Sequence, residues 1–202
     1  MDLYEFDRGF FDEGTALLCG IDEAGRGPLA GPVVAAAVVL EKDVFLPGVT
    51  DSKKLSERKR EDLYGVIMKN ARAVTVGMVD QDTIDRINIL AATHMAAREA
   101  LEKLPVIPDL ILTDYLKLKR APAPVKALVK GDATSQAVAA ASIIAKVTRD
   151  RLMMVHHERY PQYNFAGNKG YPTREHREAL RKFGPCPLHR LTFNGVIKKT
   201  LF

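Results

Sequence analysis

The sequence predicts an α/β fold, a mixed five-stranded sheet flanked by helices, and three observations carry that prediction. Five short apolar runs stand at 16–21, 33–40, 73–79, 110–112 and 125–129, the lengths of core strands. Three other stretches repeat their apolar residues at helical spacing. Their order, β-β-α-β-α-β-β-α, places strands first and alternating units after them, as in a mixed sheet with helices packed on it. At 202 residues the chain has the length of one domain. We read a core over about 16–160 and a small helical, turn-rich C-terminal extension over about 161–202.

The first two runs, ALLCGI and VVAAAVVL, are separated by a Gly- and Pro-rich turn between Gly25 and Pro32. Leu63, Val66, Ile67 and Ala71 then share a helical face ahead of the third strand. Across 83–104, Ile84, Ile87, Leu90, Ala91, Ala97, Leu101 and Leu104 keep one face, and Pro105 and Pro108 end that helix. The fourth and fifth strands flank a basic, Pro-containing loop, and 136–157 reads as a long Ala-rich helix. The remainder is basic and turn-rich around one short helix, with no apolar core of its own, and is expected to pack on the main body. There is no internal repeat and no low-complexity tract.

An apolar fraction of 47% and a charged fraction of 27% exclude the disordered and fibrous classes. Thirty basic against twenty-five acidic residues, a net charge of +5, tilt the surface mildly toward polyanions. Cys19 and Cys186 form no CxxC pair and are too few for a zinc cage, so both are read as reduced and structural. The N-terminus lacks an apolar signal core and no run approaches the ~20 apolar residues of a membrane span, so a cytoplasmic protein with no membrane association is expected. His94, His156, His157, His176 and His189 are scattered, and none is assigned to a metal.

The chemistry is carried by carboxylates. Asp22 and Glu23 follow the first apolar strand, Thr113-Asp114 ends the fourth, and Lys130-Gly131-Asp132 ends the fifth. A carboxylate at the edge of a low-dielectric core either takes up a proton or finds a cation. Neighbouring strand ends form the ligand crevice of open α/β sheets, so acids distant in sequence are expected to converge there. Four carboxylates without a histidine or cysteine shell suit hard ions such as Mg²⁺ or Mn²⁺. Two such ions about 4 Å apart activate a water and hold a scissile phosphate, so phosphoryl transfer is the natural chemistry. Gly25-Arg26-Gly27, just after the acidic pair, lets the backbone approach a sugar or phosphate while Arg26 supplies charge. It is neither a Walker loop nor a dinucleotide fingerprint.

The string GIDEAGRGPLAGPV at 20–33 closely resembles the opening motif of type 2 ribonucleases H. DSKKLS at 51–56, KGDA at 130–133 with AAASIIAKVTRD at 139–150, GYPT at 170–173 and His189-Arg190 resemble the later blocks in order. The resemblance spans about 18–193 and implies a ribonuclease H-like sheet in which Asp22, Glu23, Asp114 and Asp132 are the catalytic, metal-binding carboxylates. Tyr115 follows Asp114 where the family often has Gly. By the same resemblance Gly25, Arg26 and Gly27 meet the ribose 2′-hydroxyl and its phosphate, Tyr171 stacks on the next sugar or base step, and Lys53 and Lys54 hold the backbone.

The activity so implied is an endoribonuclease with two Mg²⁺ or Mn²⁺ ions. It cuts the RNA of RNA-DNA hybrids, or duplex DNA on the 5′ side of an embedded ribonucleotide, leaving 3′-hydroxyl and 5′-phosphate ends. The type 3 relatives differ by an extra N-terminal domain and a Glu at the fourth acidic position, where this chain has Asp132. A non-catalytic binding module is the rival of another class, and it leaves four strand-end acids facing a polyanion without purpose. Lys146 and Arg149 share a helix face and are read as structural, pairing with an acid such as Asp150. The tail KKTLF resembles, without the usual Gln, the Leu-Phe motifs that bind sliding clamps through residues like Leu201 and Phe202; a packed tail is the favoured alternative, and a monomer is expected.

Overall fold

The computed structural model describes residues 2–12 and 14–196. Five strands, β1 (Leu17–Ala24), β2 (Val33–Glu41), β3 (Ala73–Val79), β4 (Leu110–Asp114) and β5 (Val125–Leu128), form one sheet in the order β3-β2-β1-β4-β5. β1 runs antiparallel to β2, and β2 to β3, whereas β1, β4 and β5 are mutually parallel. This is the mixed five-stranded sheet the apolar runs predict.

Helices α1 (Leu3–Arg8), α2 (Glu57–Asn70), α3 (Gln81–Ile87), α4 (Ile89–Glu102), α5 (Gln136–Arg159), α6 (Phe165–Asn168) and α7 (Arg174–Phe183) surround it. Leu18, Val38 and Leu40 point to one face, where Leu63 and Ile67 of α2 and the Ala-rich side of α5 cover them. Cys19, Ile21, Ala35 and Val39 point to the other, under Ala92, Ala96 and Ala100 of α4. Coverage on both faces is why β2 is buried from Val33 to Leu40 and shows no polar alternation. No helix among the described residues is long and apolar enough to cross a membrane.

Gly20 sets how closely α5 lies on the sheet. It sits mid-strand between Val38 and Leu112, and a Cβ there would fall 2.0 Å from the Ala137 carbonyl carbon. Backbone cannot yield as a side chain does, so Gly20→Ala is expected to destabilise the fold by ~3 kcal/mol, read as a lower urea midpoint.

Two local features differ from the sequence reading, and a third shows how the extension packs. The helix expected over 83–104 is two, because Asn88 takes φ 69° and its side chain accepts the Ala91 amide at 3.1 Å, capping α4 anew. The short α1, not foreseen, docks through Asp7, whose Oδ2 accepts the Ala137 amide at 2.8 Å in the first turn of α5. The extension does contribute an apolar cluster, Tyr163, Phe165, Leu180 and Cys186, but it closes only with Leu29, Ala30 and Met153 from the preceding chain.

Candidate active site

β1 pairs with β2 as far as Ala24, but with β4 only as far as Ile21. Asp22 and Glu23 therefore lie within the strand rather than beyond it, at the point where its β4 side opens. β4 ends on Asp114, whose Oδ1 accepts the Gly131 amide at 2.8 Å. That bond ties the end of β4 to the 3₁₀ turn Gly131–Ala133, which carries Asp132; the fourth acid is thus on a turn after β5, not at the strand's end. A second 3₁₀ turn, Ser52–Lys54, brings Lys53 Nζ to 3.0 Å from Asp132 Oδ2. A 2.7 Å hydroxyl pair, Ser52 with Ser142, fixes that turn to α5.

Of the residues singled out in the sequence, Asp22, Glu23, Gly25, Arg26, Gly27, Lys53, Asp114 and Tyr171 line one hollow, together with Ser142 and Lys146. Lys54 and Asp132 line an adjoining hollow that shares Lys53 and Asp114. Asp22 and Asp132 are each only 5% exposed. Burial holds the Asp22 carboxyl well above the ordinary range, and the charges of Glu23 and Asp114 add to it. Burial also raises Glu23, while Arg26, 3.1 Å away, pulls it back and Asp114 pushes it up. On Lys53, burial favours the neutral amine, but Asp132 with Asp51 and Asp22 together raise the ammonium.

Carboxylates that repel one another in a buried site call for cations. The donors are oxygens, the preference of hard divalent ions. As they stand, with Lys53 on Asp132 and Arg26 on Glu23, no three acids, histidines or cysteines among the described residues are gathered into a ready cage. Mg²⁺ does not need one, since it keeps several waters and takes one or two carboxylates with substrate phosphate oxygens, so the donor set fits such an ion.

Two buried arginines hold this part of the chain, Arg190 at the glycine turn and Arg149 at the segment that follows it. Arg149 donates to the carbonyls of Pro32 (2.9 Å), Lys169 (2.8 Å) and Ala30 (2.9 Å). Arg190 donates to Gly25 (2.6 Å), Arg26 (3.1 Å) and Gly31 (2.8 and 3.0 Å). Gly25, at φ 98°, admits no side chain, because a Cβ would fall 2.2 Å from Arg149 Nε. A trans peptide sets its N–H opposite its C=O. With the Gly25 and Arg26 carbonyls turned to Arg190, the amides of Arg26 and Gly27 point the other way. Burial draws Arg190 down to about 9, with the Arg149 charge adding, and Arg149 to about 10, so both stay charged at neutral pH.

Tyr171 stands beside this turn, 40% exposed, with Lys146 Nζ 5.9 Å from its ring centre. A chain of histidines fixes its backbone. The Tyr171 carbonyl lies 2.9 Å from His176 Nδ1, His176 Nε2 lies 3.0 Å from His189 Nε2, and the Cys186 amide donates to His189 Nδ1 at 2.9 Å. A carbonyl can only accept and an amide can only donate, so His176 carries its proton on Nδ1, and the Cys186 amide, closer to His189 Nδ1 than the Cys186 carbonyl at 3.2 Å, leaves the His189 proton on Nε2. The pair is thus neutral, and burial with the nearby His176 pushes His189 down to about 4.

The sequence reading missed the arginine cradle and this histidine chain. Lys146 pairs with Asp150 at 2.7 Å as expected, whereas Arg149 is structural through carbonyls and not through an acid. The signals available were blocks alone: His189-Arg190, and Arg149 within AAASIIAKVTRD at 139–150. Leu201 and Phe202 lie outside the described residues.

Comparison with known proteins places this chain among relatives. The family model described as Ribonuclease HII matches residues 19–196. A Ribonuclease HII of Geotalea daltonii is 54% identical over 194 residues, covering 96% of this chain and 90% of the relative. The crystal structure of ribonuclease H2 from Pyrococcus horikoshii OT3 superposes with a TM-score of 0.79 at 29% identity, covering 89% of this chain and 95% of the other. Ribonuclease HII of Archaeoglobus fulgidus, solved in complex with PCNA, gives a TM-score of 0.73 at 29% identity, covering 92% and 98%.

Proposed function

The chain belongs to the ribonuclease HII family, and from that membership we propose its activity and the part each residue plays in it. It is a metal-dependent endoribonuclease that hydrolyses the RNA strand of RNA-DNA hybrids and cuts duplex DNA on the 5′ side of an embedded ribonucleotide. One observation carries this most directly: acids from β1, β4 and the turn after β5 share adjoining hollows with a glycine turn whose amides face outward.

Asp22, Glu23, Asp114 and Asp132 would hold two divalent cations, Mg²⁺ or Mn²⁺, which supply an activated water and charge neutralisation at the scissile phosphate. The chain's own residues position the strand. The Arg26 and Gly27 amides donate to the ribose 2′-hydroxyl and the adjacent phosphate oxygen, and DNA, lacking that hydroxyl, leaves a donor unmatched. Lys53 and Lys54 meet the phosphate backbone, and Tyr171 packs on the following sugar or base step. We read the protein as a cytoplasmic monomer. A sliding-clamp contact through Leu201 and Phe202 has its support in the PCNA complex of the Archaeoglobus relative.

Cleavage of a labelled DNA duplex carrying one ribonucleotide tests this, with Mg²⁺, Mn²⁺ or EDTA, beside a long hybrid and an all-DNA control. We expect metal-dependent cutting on the 5′ side of the ribonucleotide only, with 3′-hydroxyl and 5′-phosphate ends. A 2′,3′-cyclic phosphate would mean that the ribose hydroxyl attacked, and would overturn the hydrolytic mechanism. Binding without cutting under either metal would instead favour the binding-module reading.

A further inference from the structure

Tyr115, immediately after Asp114, adopts φ 59°, a left-handed conformation that suits glycine and, among other residues, those with short polar side chains. Tyrosine brings neither advantage, so the surroundings must impose the turn. They do so at three points: the Tyr115 amide donates to the Leu128 carbonyl at 2.8 Å, the Thr113 hydroxyl donates to the Leu116 carbonyl at 2.7 Å, and Leu116 is 7% exposed in the apolar layer. The chain steps out of the core for one residue and returns. A glycine would make that step without strain, so the turn itself has no use for the ring.

The ring is 73% exposed and stands where cations gather. With Asp114 it lines one hollow that also takes Lys53, Lys54 and Lys130, and another that takes Arg26, His94 and Lys117. Tyr171 lines a third, and Asp114 is common to all three. An aromatic face between cations is how a surface tracks a phosphodiester strand, the charges meeting phosphates and the ring meeting sugar or base. Backbone strain held by its surroundings beside a reactive group points to use rather than accident.

We propose that Tyr115 is a second aromatic contact to the bound nucleic acid, packing on the apolar face of a nucleotide beyond Asp114, while Tyr171 holds one at the glycine turn. This rests on the nuclease reading above. The test uses Tyr115→Gly and Tyr115→Asn, which tolerate the left-handed turn without a ring, and Tyr115→Phe, which keeps the ring. KM and kcat are measured on the ribonucleotide-containing duplex, and each variant is melted.

Gly and Asn are expected to raise KM roughly 5- to 50-fold with kcat changed about 2-fold or less, while Gly melts no lower than wild type; Phe should stay within about 2-fold of wild type throughout. Affinity and thermal stability thus part company, which a purely structural tyrosine would not produce. Unchanged KM in Gly and Asn, with normal cutting by wild type, would remove this inference alone, as would a Phe variant as weak as Gly. A wild type that cuts nothing would remove the nuclease reading and this contact with it.

Discussion

Asp22→Asn is expected to bind a ribonucleotide-containing duplex and to cut it about 10³-fold more slowly or worse, because it keeps the shape of the side chain and removes one of the charges proposed to gather cations. Its stability should move the other way. Asp22 is 5% exposed, and burial with the charges of Glu23 and Asp114 holds its folded-state carboxyl well above the unfolded value of 3.8. A raised folded value means that the folded state binds the proton more tightly, so its contribution is complete below pH 3.8 and is lost as pH rises through the folded value. Asparagine does not titrate. In EDTA the variant should therefore melt higher than wild type, with the gap opening as pH climbs above the unfolded value.

Saturating Mg²⁺ or Mn²⁺ should then raise the melting temperature of wild type by mass action and that of Asp22→Asn much less. This readout is independent of turnover. Equal gains in both proteins would take Asp22 out of the metal-holding set, even if cutting were lost.

The acids were legible in the sequence because a carboxylate beside an apolar strand is costly and stands out. Their convergence was an expectation from the general habit of strand ends, and its geometry was not legible, since that depends on β1 and β4 being parallel neighbours with β1 running on past Ile21. Asp132 was foreseen as a strand end because Gly131 and Lys130 follow an apolar run, yet Val125–Leu128 is a short outer strand and the acid belongs to the turn after it. The break at Asn88 escaped because apolar spacing continues across it in phase, so only the residue's taste for left-handed backbone and for capping could reveal it. The two arginines were hidden for a different reason. A buried guanidinium is expected beside an acid, and Arg149 and Arg190 instead spend their donors on carbonyls that sequence inspection does not see.

That placement makes Arg190→Lys far from conservative. Arg190 is 0% exposed and makes four hydrogen bonds to the carbonyls of Gly25, Arg26 and Gly31; an ammonium on a shorter stem has three donors and no planar fork. Leaving one or two buried carbonyls unpaired should cost about 2–4 kcal/mol, seen as a lower urea midpoint. Arg149→Lys should cost a similar amount, since its three carbonyl partners are equally buried from water, but those partners are Ala30, Pro32 and Lys169 and not the glycine turn. The two variants therefore separate folding from recognition. Under conditions where both remain folded, preference for a ribonucleotide over a deoxynucleotide at the cleavage position should fall about 10-fold or more in Arg190→Lys and hold in Arg149→Lys, because only Arg190 turns the Arg26 and Gly27 amides outward. Equal loss in both would mean that the turn senses the general softness of the site, and that the carbonyl contacts of Arg190 carry no share of sugar discrimination.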